Sequence, residues 1–328
     1  MHHIFKFSVA VLAVAAAGAY AADPYPSRPI TVIAPYSAGG DSDLAARNFA
    51  AAAQKALGQS VVVINKPGAS GVIGSDFVKN AAPDGYTLLL ARPGSQAILP
   101  AIMPSTTRYK WDDFTFVGLL ELNAYGCFVK GSSPYRDFKD LVTALKTNGK
   151  QLNYGTAGVL TTNDMGPRQL FKILNLGDKV PTQLAFKGTG EATVSLLNDQ
   201  SHFACGSVGP FLPMLKGGQL RALMVTTPQR LSWLPNVPTA VEMGVPAMQG
   251  ITGWSGIYVP RGTPPEIVKK LSDAIATFAK DERWLKATET TGSVPFLKGA
   301  DETRKFVHDQ YEMYRTLGES LNIIDKQS

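Results

Sequence analysis

An apolar run, Ile30 to Ala34, enters the stretch Pro35-Tyr36-Ser37-Ala38-Gly39-Gly40-Asp41-Ser42-Asp43, and an Ala-rich helical pattern, Leu44 to Leu57, leaves it. The run has the length of a buried strand, and Gly58 is a good helix stop. The segment therefore reads as strand, glycine turn and helix start. Gly39 and Gly40 allow a sharp turn and a close approach to a ligand. Asp41 is the natural N-cap, with Ser42 or Asp43 as alternatives. Free backbone N–H groups at the helix start, together with the helix dipole, make a seat for an anion. The plainer reading is a well-capped turn that binds nothing, and the local sequence leaves both open.

The module recurs. Val61 to Ile64 reads as a strand, Asn65 to Gly71 as a loop and Val72 to Asn80 as a helix; the turn Pro83-Asp84-Gly85 then leads into a strand, Tyr86 to Ala91. Strands alternating with helices imply a mostly parallel sheet. In such sheets ligands sit beyond the carboxyl ends of the strands. That places the Tyr36–Asp41 loop, the Gly68–Gly71 loop and Arg92-Pro93-Gly94-Ser95 on one rim. Arg92 follows the apolar run Leu88 to Ala91 directly. It can hold a carboxylate with two hydrogen bonds, or it is a surface Arg paired with a nearby Asp.

Residues 115 to 130 read as a long strand, Phe116 to Leu122 and then Cys127 to Lys130, where the chain crosses between domains. Pro134 to Leu145 reads as a helix. Asn153-Tyr154-Gly155-Thr156-Ala157-Gly158 is another strand end with glycines. Thr161-Thr162-Asn163-Asp164 follows, ahead of a helical Arg168 to Leu174. This repeats the opening arrangement, and two such seats facing each other would clamp one anionic ligand. Phe186-Lys187-Gly188-Thr189-Gly190-Glu191 is a third strand-to-helix turn, with a helix from about Ala192 to Asn198. Phe203 to Ser207 and Leu220 to Thr226 are strands, and Trp233 to Pro246 is loop-like. Gly253 to Pro260 is the return strand into the first domain. Pro264 to Lys280 and Glu302 to Leu317 are amphipathic helices whose apolar stripes face the core. The fold class expected is α/β, with two mostly parallel or mixed sheets joined by crossover strands. One lobe comprises residues 22–124 and 253–328, the other 125–252.

Before this architecture lies a targeting segment. Lys6 precedes an apolar stretch, Ser8 to Gly18, and Ala19-Tyr20-Ala21 is an A-x-A cleavage site. Residues 1–21 read as a secretory signal peptide, too short in the apolar part to span a bilayer. The mature protein is expected to be soluble and exported. About 307 of the 328 residues remain, long for one core and suited to two domains. The net charge of +6 falls to about +5 without Lys6. That mild excess suits a small anion, and no basic block points to nucleic acid. Export permits a disulfide between Cys127 and Cys205, but one pair is no disulfide scaffold, and the reading favours two buried free thiols.

The sequence is poor in catalytic signatures. Only His202 and His308 follow the leader, and there is no H-E-x-x-H, G-x-S-x-G or Walker A pattern. Gly68-x-x-Gly71-x-x-Gly74 lacks the dinucleotide-binding spacing. No clustered ligands suggest a metal, and no cofactor is expected. A binding protein rather than an enzyme is the favoured reading. Two rivals remain: a secreted α/β hydrolase with Ser37, Ser207 or Cys205 as nucleophile, and a ligand sensor feeding a membrane signalling partner.

Several stretches together resemble a known family. They are Tyr25-Pro26-Ser27-Arg28-Pro29-Ile30 leading to the glycine loop with Asp41 and Arg47; Val63 to Gly74; Ala82 to Leu88; Phe186-Lys187-Gly188; Leu220 to Thr226; Val237-Pro238-Thr239 with Glu242 and Gly244; and Trp254 before Pro260 and Thr263-Pro264. The chain resembles the periplasmic substrate-binding proteins of tripartite tricarboxylate transporters, the Bug or TctC receptors. The resemblance covers nearly all of the mature chain. It implies a two-lobed, type II-like Venus-flytrap fold, a carboxylated ligand in the interlobe cleft and a membrane permease as partner. Carried over by position, it points to Tyr36, Ser37, Gly39, Gly40, Asp41, Thr156, Thr161 and Thr162. The rims read above add Ala38, Arg92, Ser95, Gly155, Asn163, Phe186, Lys187 and Ser207 to the expected ligand-binding set. The chain departs from the family pattern at Thr161-Thr162-Asn163-Asp164-Met165, where Gly-Ser followed by His-Leu is common, and at Arg92, where a small or hydroxyl residue is usual. Both departures suit a larger dicarboxylate, with Arg92 on its second carboxylate; an aromatic dicarboxylate such as terephthalate is one candidate. The receptor is expected to act as a monomer.

Overall fold

The protein is described from a computed structural model covering residues 24–325. The expected signal peptide, residues 1–21, lies outside the described residues. Ile30–Ala34 (β1), Val61–Asn65 (β2) and Thr87–Ala91 (β3) alternate with the helices Asp41–Leu57 (α1) and Val72–Lys79 (α2). β1 pairs in parallel with both β2 and β3, as the alternation implies. A short helix, Leu99–Ile102 (α3), then leads to the long strand Phe114–Asn123 (β4).

One residue later the chain enters Tyr125–Lys130 (β5), which belongs to a different sheet. The second half supplies Phe138–Asn148 (α4), Asn153–Thr156 (β6), Thr162–Ile173 (α5), Thr182–Ala185 (β7), Thr189–Leu197 (α6), Phe203–Ser207 (β8), Leu212–Lys216 (α7) and Leu220–Val225 (β9). Gly253–Pro260 (β10) returns to the first sheet. Pro265–Thr277 (α8), Glu282–Thr290 (α9), Ser293–Lys298 (β11) and Ala300–Ser320 (α10) complete the chain. The first sheet has the order β2-β1-β3-β10-β4-β11, the second β7-β6-β8-β5-β9. Both are mixed: β10 runs antiparallel to β3 and β4, and β5 antiparallel to β8 and β9.

The two sheets are the cores of two lobes. They are joined where β4 passes into β5 and where the chain comes back into β10. Side-chain hydroxyls tie these crossings together: Thr252 donates to the Asn123 carbonyl at 3.1 Å, and Thr226 to the Ile251 carbonyl at 2.9 Å. Trp254, on β10 beside the crossing, is fully buried. Among the described residues no helix is long and apolar enough to cross a membrane.

The expectation of two free thiols is overturned. Cys127 on β5 faces Cys205 on β8 in antiparallel register, and the two form a disulfide. The partners are 78 residues apart in sequence, so only the strand register brings them together.

Helix boundaries also moved. α5 begins at Thr162, six residues before the expected Arg168, and runs through Gly166 and Pro167. Pro167, the sixth residue of the helix, cannot donate to the Asn163 carbonyl, so the helix continues through it with one bond fewer. α4 starts at Phe138 because Asp137 caps it, accepting the Asp140 N–H at 2.9 Å.

Candidate functional site

Three helices, α1, α5 and α6, each follow directly on a strand of their own lobe, and their starts share one construction. In α1, Gly40 is the N-cap and the third helical residue, Asp43, accepts the Gly39 N–H at 3.0 Å. In α5, Thr161 is the N-cap and Asp164 accepts the Leu160 N–H at 2.9 Å. In α6, Gly188 is the N-cap and Glu191 accepts the Lys187 N–H at 3.0 Å. Each acid satisfies a donor just ahead of its helix and sits at the positive end of the dipole. Gly39 turns with φ 76° and Leu160 with φ 55°, both in the left-handed region. The cap expected at Asp41 therefore falls to Gly40, and the acid that does the capping is Asp43.

That arrangement frees the first helical residues, Asp41, Thr162 and Thr189, and all three line one cleft where the lobes meet. Thr189 donates to Asp41 Oδ1 at 3.3 Å, and Asn163 Nδ2 to Thr189 Oγ1 at 3.4 Å. Ser207, at the end of β8, donates to Asp41 Oδ2 at 2.9 Å. Arg92, at the carboxyl end of β3, forms a salt bridge through Nη2 with the same Asp41 oxygen, and its Nη1 donates to Ser255 Oγ at 2.5 Å. Arg92 is neither a surface residue nor unpaired: its side chain is 4% exposed, and its ion-pair partner is Asp41.

Behind Arg92 lies a buried polar chain. Ser255 donates to Glu121 Oε1 at 3.0 Å, and Asn123 Nδ2 bridges Glu121 and Ser293 at 3.0 and 2.8 Å. Burial pushes the Glu121 carboxyl above its ordinary value, against the opposing pull of Arg92 and of hydrogen bonds from Asn123, Ser255 and Ser293. Burial likewise raises the Tyr36 hydroxyl, with nearby Arg92 pulling the other way. The Tyr36 hydroxyl donates to the Ser70 carbonyl at 2.8 Å.

The lobes meet through backbone as well as side chains. The Ser37 N–H donates to the Lys187 carbonyl at 3.2 Å, and Ser70 Oγ to the Val159 carbonyl at 2.7 Å. A Cβ on Gly190 would lie 2.9 Å from the Ala38 carbonyl oxygen, and one on Gly188 2.3 Å from Ser37 Oγ. Glycine is required here for close approach. Of the backbone donors in the glycine turn ahead of α1, two are thus occupied: that of Ser37 by Lys187 and that of Gly39 by Asp43.

The cleft that remains encloses only about 10 Å³ and is lined by Tyr36, Asp41, Arg92, Pro93, Gly94, Ala157, Thr161, Thr162, Asn163 and Thr189. That is about the room of one water and far below the roughly 300 Å³ at which small-molecule pockets begin. Larger hollows lie elsewhere, one of about 500 Å³ between α1 and α8. They are open surface grooves without convergent buried polar groups, so the cleft is the better candidate despite its size.

Most expected residues gather here, and some do not. Ser37, Ala38 and Gly39 form the loop pressed against Gly188 and Gly190. Ser95 is buried behind Tyr36, its carbonyl accepting from Tyr109 at 2.8 Å. Thr156 is buried and accepts from Gln183 Nε2 at 2.9 Å. Gly155 faces Ser195 and Ser201 within the second lobe rather than the cleft. Phe186 is half-buried; its N–H bonds the Thr156 carbonyl. The Lys187 side chain is exposed, and the residue takes part through its backbone. Pro93, Gly94 and Ala157, read on the rims but left out of the expected set, join the lining, as does Thr189. For Thr189 the signal was present: it follows Gly188 at the third strand-to-helix turn.

The hydrolase nucleophiles fare poorly. Cys205 is closed off by its disulfide. His202 is bonded to Asn153 at the far end of β8 from Ser207, and His308, on α10, lies tilted against the Trp111 ring.

Known proteins share this architecture. A UPF0065 protein of Agrobacterium vitis is 35% identical over 277 residues, covering 84% of this chain and 79% of that one. The periplasmic binding protein BugD superposes with a TM-score of 0.86 at 27% identity, over 92% of this chain and all of that one. MatC from Rhodopseudomonas palustris, solved with bound malate, gives 0.84 at 28% identity, over 90% of this chain and all of that one. An R. palustris protein solved with adipate gives 0.87 at 26% identity, over 92% and 99%. The model of the tripartite tricarboxylate transporter family receptor, TctC, matches residues 45–323. The two-lobed fold, the convergent cleft and these likenesses agree: the chain belongs to the TctC family of receptors, the solute-binding proteins of Bug type.

Proposed function

We propose that this receptor captures a small dicarboxylate between its lobes and hands it to a membrane permease. The observation that carries the reading is the convergence of three helix N-termini, α1, α5 and α6, with the buried Arg92 on one cleft. Helix N-termini and a guanidinium both favour carboxylate oxygens. The malate and adipate held by the two R. palustris neighbours are dicarboxylates, which supports the class. Arg92 takes one carboxylate and the helix starts of the second lobe take the other. Terephthalate belongs to the same class, with Tyr36 the aromatic side chain at the cleft.

The lobes on this reading are residues 22–124 with 253–328, and 125–252. Closure is favoured because the ligand gains contacts with both lobes only when they meet. The permease then distinguishes closed from open receptor. The chain carries no chemistry of its own in this scheme, and residues 1–21 direct it to the periplasm.

A thermal-shift and calorimetric series tests the assignment with malate, adipate, terephthalate and matched monocarboxylates. A ligand that binds only the folded state at a hundred times its Kd adds about 2.7 kcal/mol of stability. Dicarboxylates should raise Tm, and Arg92→Ala should weaken them far more than monocarboxylates. Equal losses for both would remove Arg92 from selectivity. No response to any carboxylate, with no small molecule released on denaturation, would overturn the assignment. Following uptake in a deletion strain separates transport from signalling.

A further inference from the structure

Asp41 is an anion already seated in an anion site. Its carboxylate meets Arg92 on one lobe and the hydroxyls of Ser207 and Thr189 on the other, at 2.9 and 3.3 Å. These are the partners a ligand carboxylate would seek: a guanidinium and two hydroxyls, one of them at a helix start. We propose that Asp41 is a specificity-determining residue that holds the ligand's carboxylate position itself and must be displaced from Arg92 before a dicarboxylate can bind. The proposal rests on the dicarboxylate reading above.

Three observations support displacement over a permanent structural pair. First, the contacts of Asp41 span the cleft, so opening the lobes must break those to Ser207 and Thr189 while leaving Arg92 in reach. Opening thus leaves the Asp41 carboxylate with fewer partners, Arg92 of its own lobe and the Ser42 N–H at 3.0 Å. Second, with Asp41 in place the cleft encloses only about 10 Å³, and a ligand carboxylate added at Arg92 would put a second negative charge on one guanidinium. Glu121 already stands behind the same guanidinium through Ser255. Third, Asp41 is the first residue of α1, and within its own helix an outward rotation gives up one contact, the Ser42 N–H that Oδ1 accepts at 3.0 Å. Asp43, not Asp41, carries the capping bond.

Selectivity follows from the competition. A monocarboxylate offers Arg92 one carboxylate in exchange for another and gains nothing at the far end. A dicarboxylate replaces Asp41 and also engages the second helix N-terminus, so it alone has a surplus with which to drive the exchange. Asp41 thereby raises the threshold for weak anions and closes the empty cleft by bridging its lobes.

The test uses the mature chain, Asp41→Asn and Asp41→Ala, with malate, adipate and terephthalate as dicarboxylates and acetate and benzoate as monocarboxylates. Small-angle scattering is recorded without ligand and calorimetry with each. Both variants should show a larger radius of gyration than wild type when unliganded. Asp41→Asn should bind the best dicarboxylate about tenfold more tightly and should discriminate less against monocarboxylates. Weaker dicarboxylate binding by Asp41→Asn would overturn the proposal by making Asp41 a direct ligand contact. An unliganded radius unchanged in both variants would overturn it whether or not any carboxylate binds. Should no carboxylate bind any form, the dicarboxylate reading fails, while the scattering still decides whether Asp41 bridges the lobes.

Discussion

Asp43 and Asp164 hold equivalent places in the two lobes. Each is the third residue of its helix, each accepts an N–H from four residues back, and each is paired with an arginine four residues on, Arg47 at 3.0 Å and Arg168 at 2.8 Å. Asp164 is fully buried and also accepts from the Tyr154 hydroxyl at 2.9 Å. The pair therefore shapes both of these loops, at α1 and at α5.

Replacing Asp164 by Ala leaves the Leu160 N–H, the Tyr154 hydroxyl and Arg168 without their acceptor. The loss should be about 3 kcal/mol, the range for breaking a buried charged network. Urea unfolding measures it as a lower midpoint at unchanged slope. A shift below about 1 kcal/mol would mean that water replaces the carboxylate and that the loop is not built on it.

Asp43 gives an acid-side signature. Burial works to raise its carboxyl, but hydrogen bonds from Arg47, the Gly39 N–H and Asn65 outweigh it and hold the group below its ordinary value of 3.8. A depressed acid contributes stability that is present above the unfolded value and is lost as pH falls through the folded one. Wild type should therefore lose more stability than Asp43→Asn between pH 5 and about pH 2. Parallel curves for the two proteins across that window would contradict the assignment.

Glu121 acts in the opposite sense. Its carboxyl is raised from 4.5, chiefly by burial. A raised acid is most favourable to folding below its unfolded value, and the benefit fades as pH rises through the folded one. Glu121→Gln keeps an oxygen that can accept from Ser255 and Asn123 but cannot ionise. Urea midpoints at pH 4, 6 and 8 should show Glu121→Gln gaining on wild type as pH rises. A wild type that gains instead would mean that Arg92 holds Glu121 ionised throughout.

Much of this was legible in the sequence because it is local. The run Ile30 to Ala34, the glycines after it and the Ala-rich helix specify a strand–turn–helix unit on their own, and β4 and β5 were visible as one long apolar tract crossing between sheets. What escaped depends on neighbours distant in sequence. Ser255 meets Arg92 and Glu121 only because β10 lies between β3 and β4. The start of α5 was hidden by Gly166 and Pro167, which read as breakers when the packing of the lobe is unknown. β11 carries Pro295, which argues against a strand until its edge position in the sheet is seen. Asp41 was recognised as a site residue but assigned to the cap, because a capping acid and a cleft acid look alike two residues apart.

The disulfide should matter for stability rather than for binding. Cys127 and Cys205 are buried within the second sheet and close a loop with a sequence separation of 78. Loop closure of that length is worth about 4.5 kcal/mol by restriction of the unfolded chain, and about 2–4 kcal/mol is typical of disulfides. The double variant Cys127→Ala/Cys205→Ala should unfold at correspondingly lower urea while binding its ligand with unchanged affinity in native buffer. A change in affinity without a change in stability would reverse that division and place the bond in the closure mechanism.

Gly190 tests closure directly. It is the second residue of α6, where alanine suits the helix better than glycine. Yet its Cβ would sit 2.9 Å from the Ala38 carbonyl oxygen and 3.3 Å from the Gly39 carbonyl carbon, both backbone atoms of the opposite lobe. The clash exists only when the lobes meet. Gly190→Ala should therefore fold at least as stably as wild type without ligand, yet bind about tenfold more weakly, consistent with an overpacking cost of about 1–3 kcal/mol confined to the closed state. Its unliganded radius of gyration should also exceed that of wild type. An affinity and radius indistinguishable from wild type would mean that the lobes need not approach this closely for the receptor to hold its ligand.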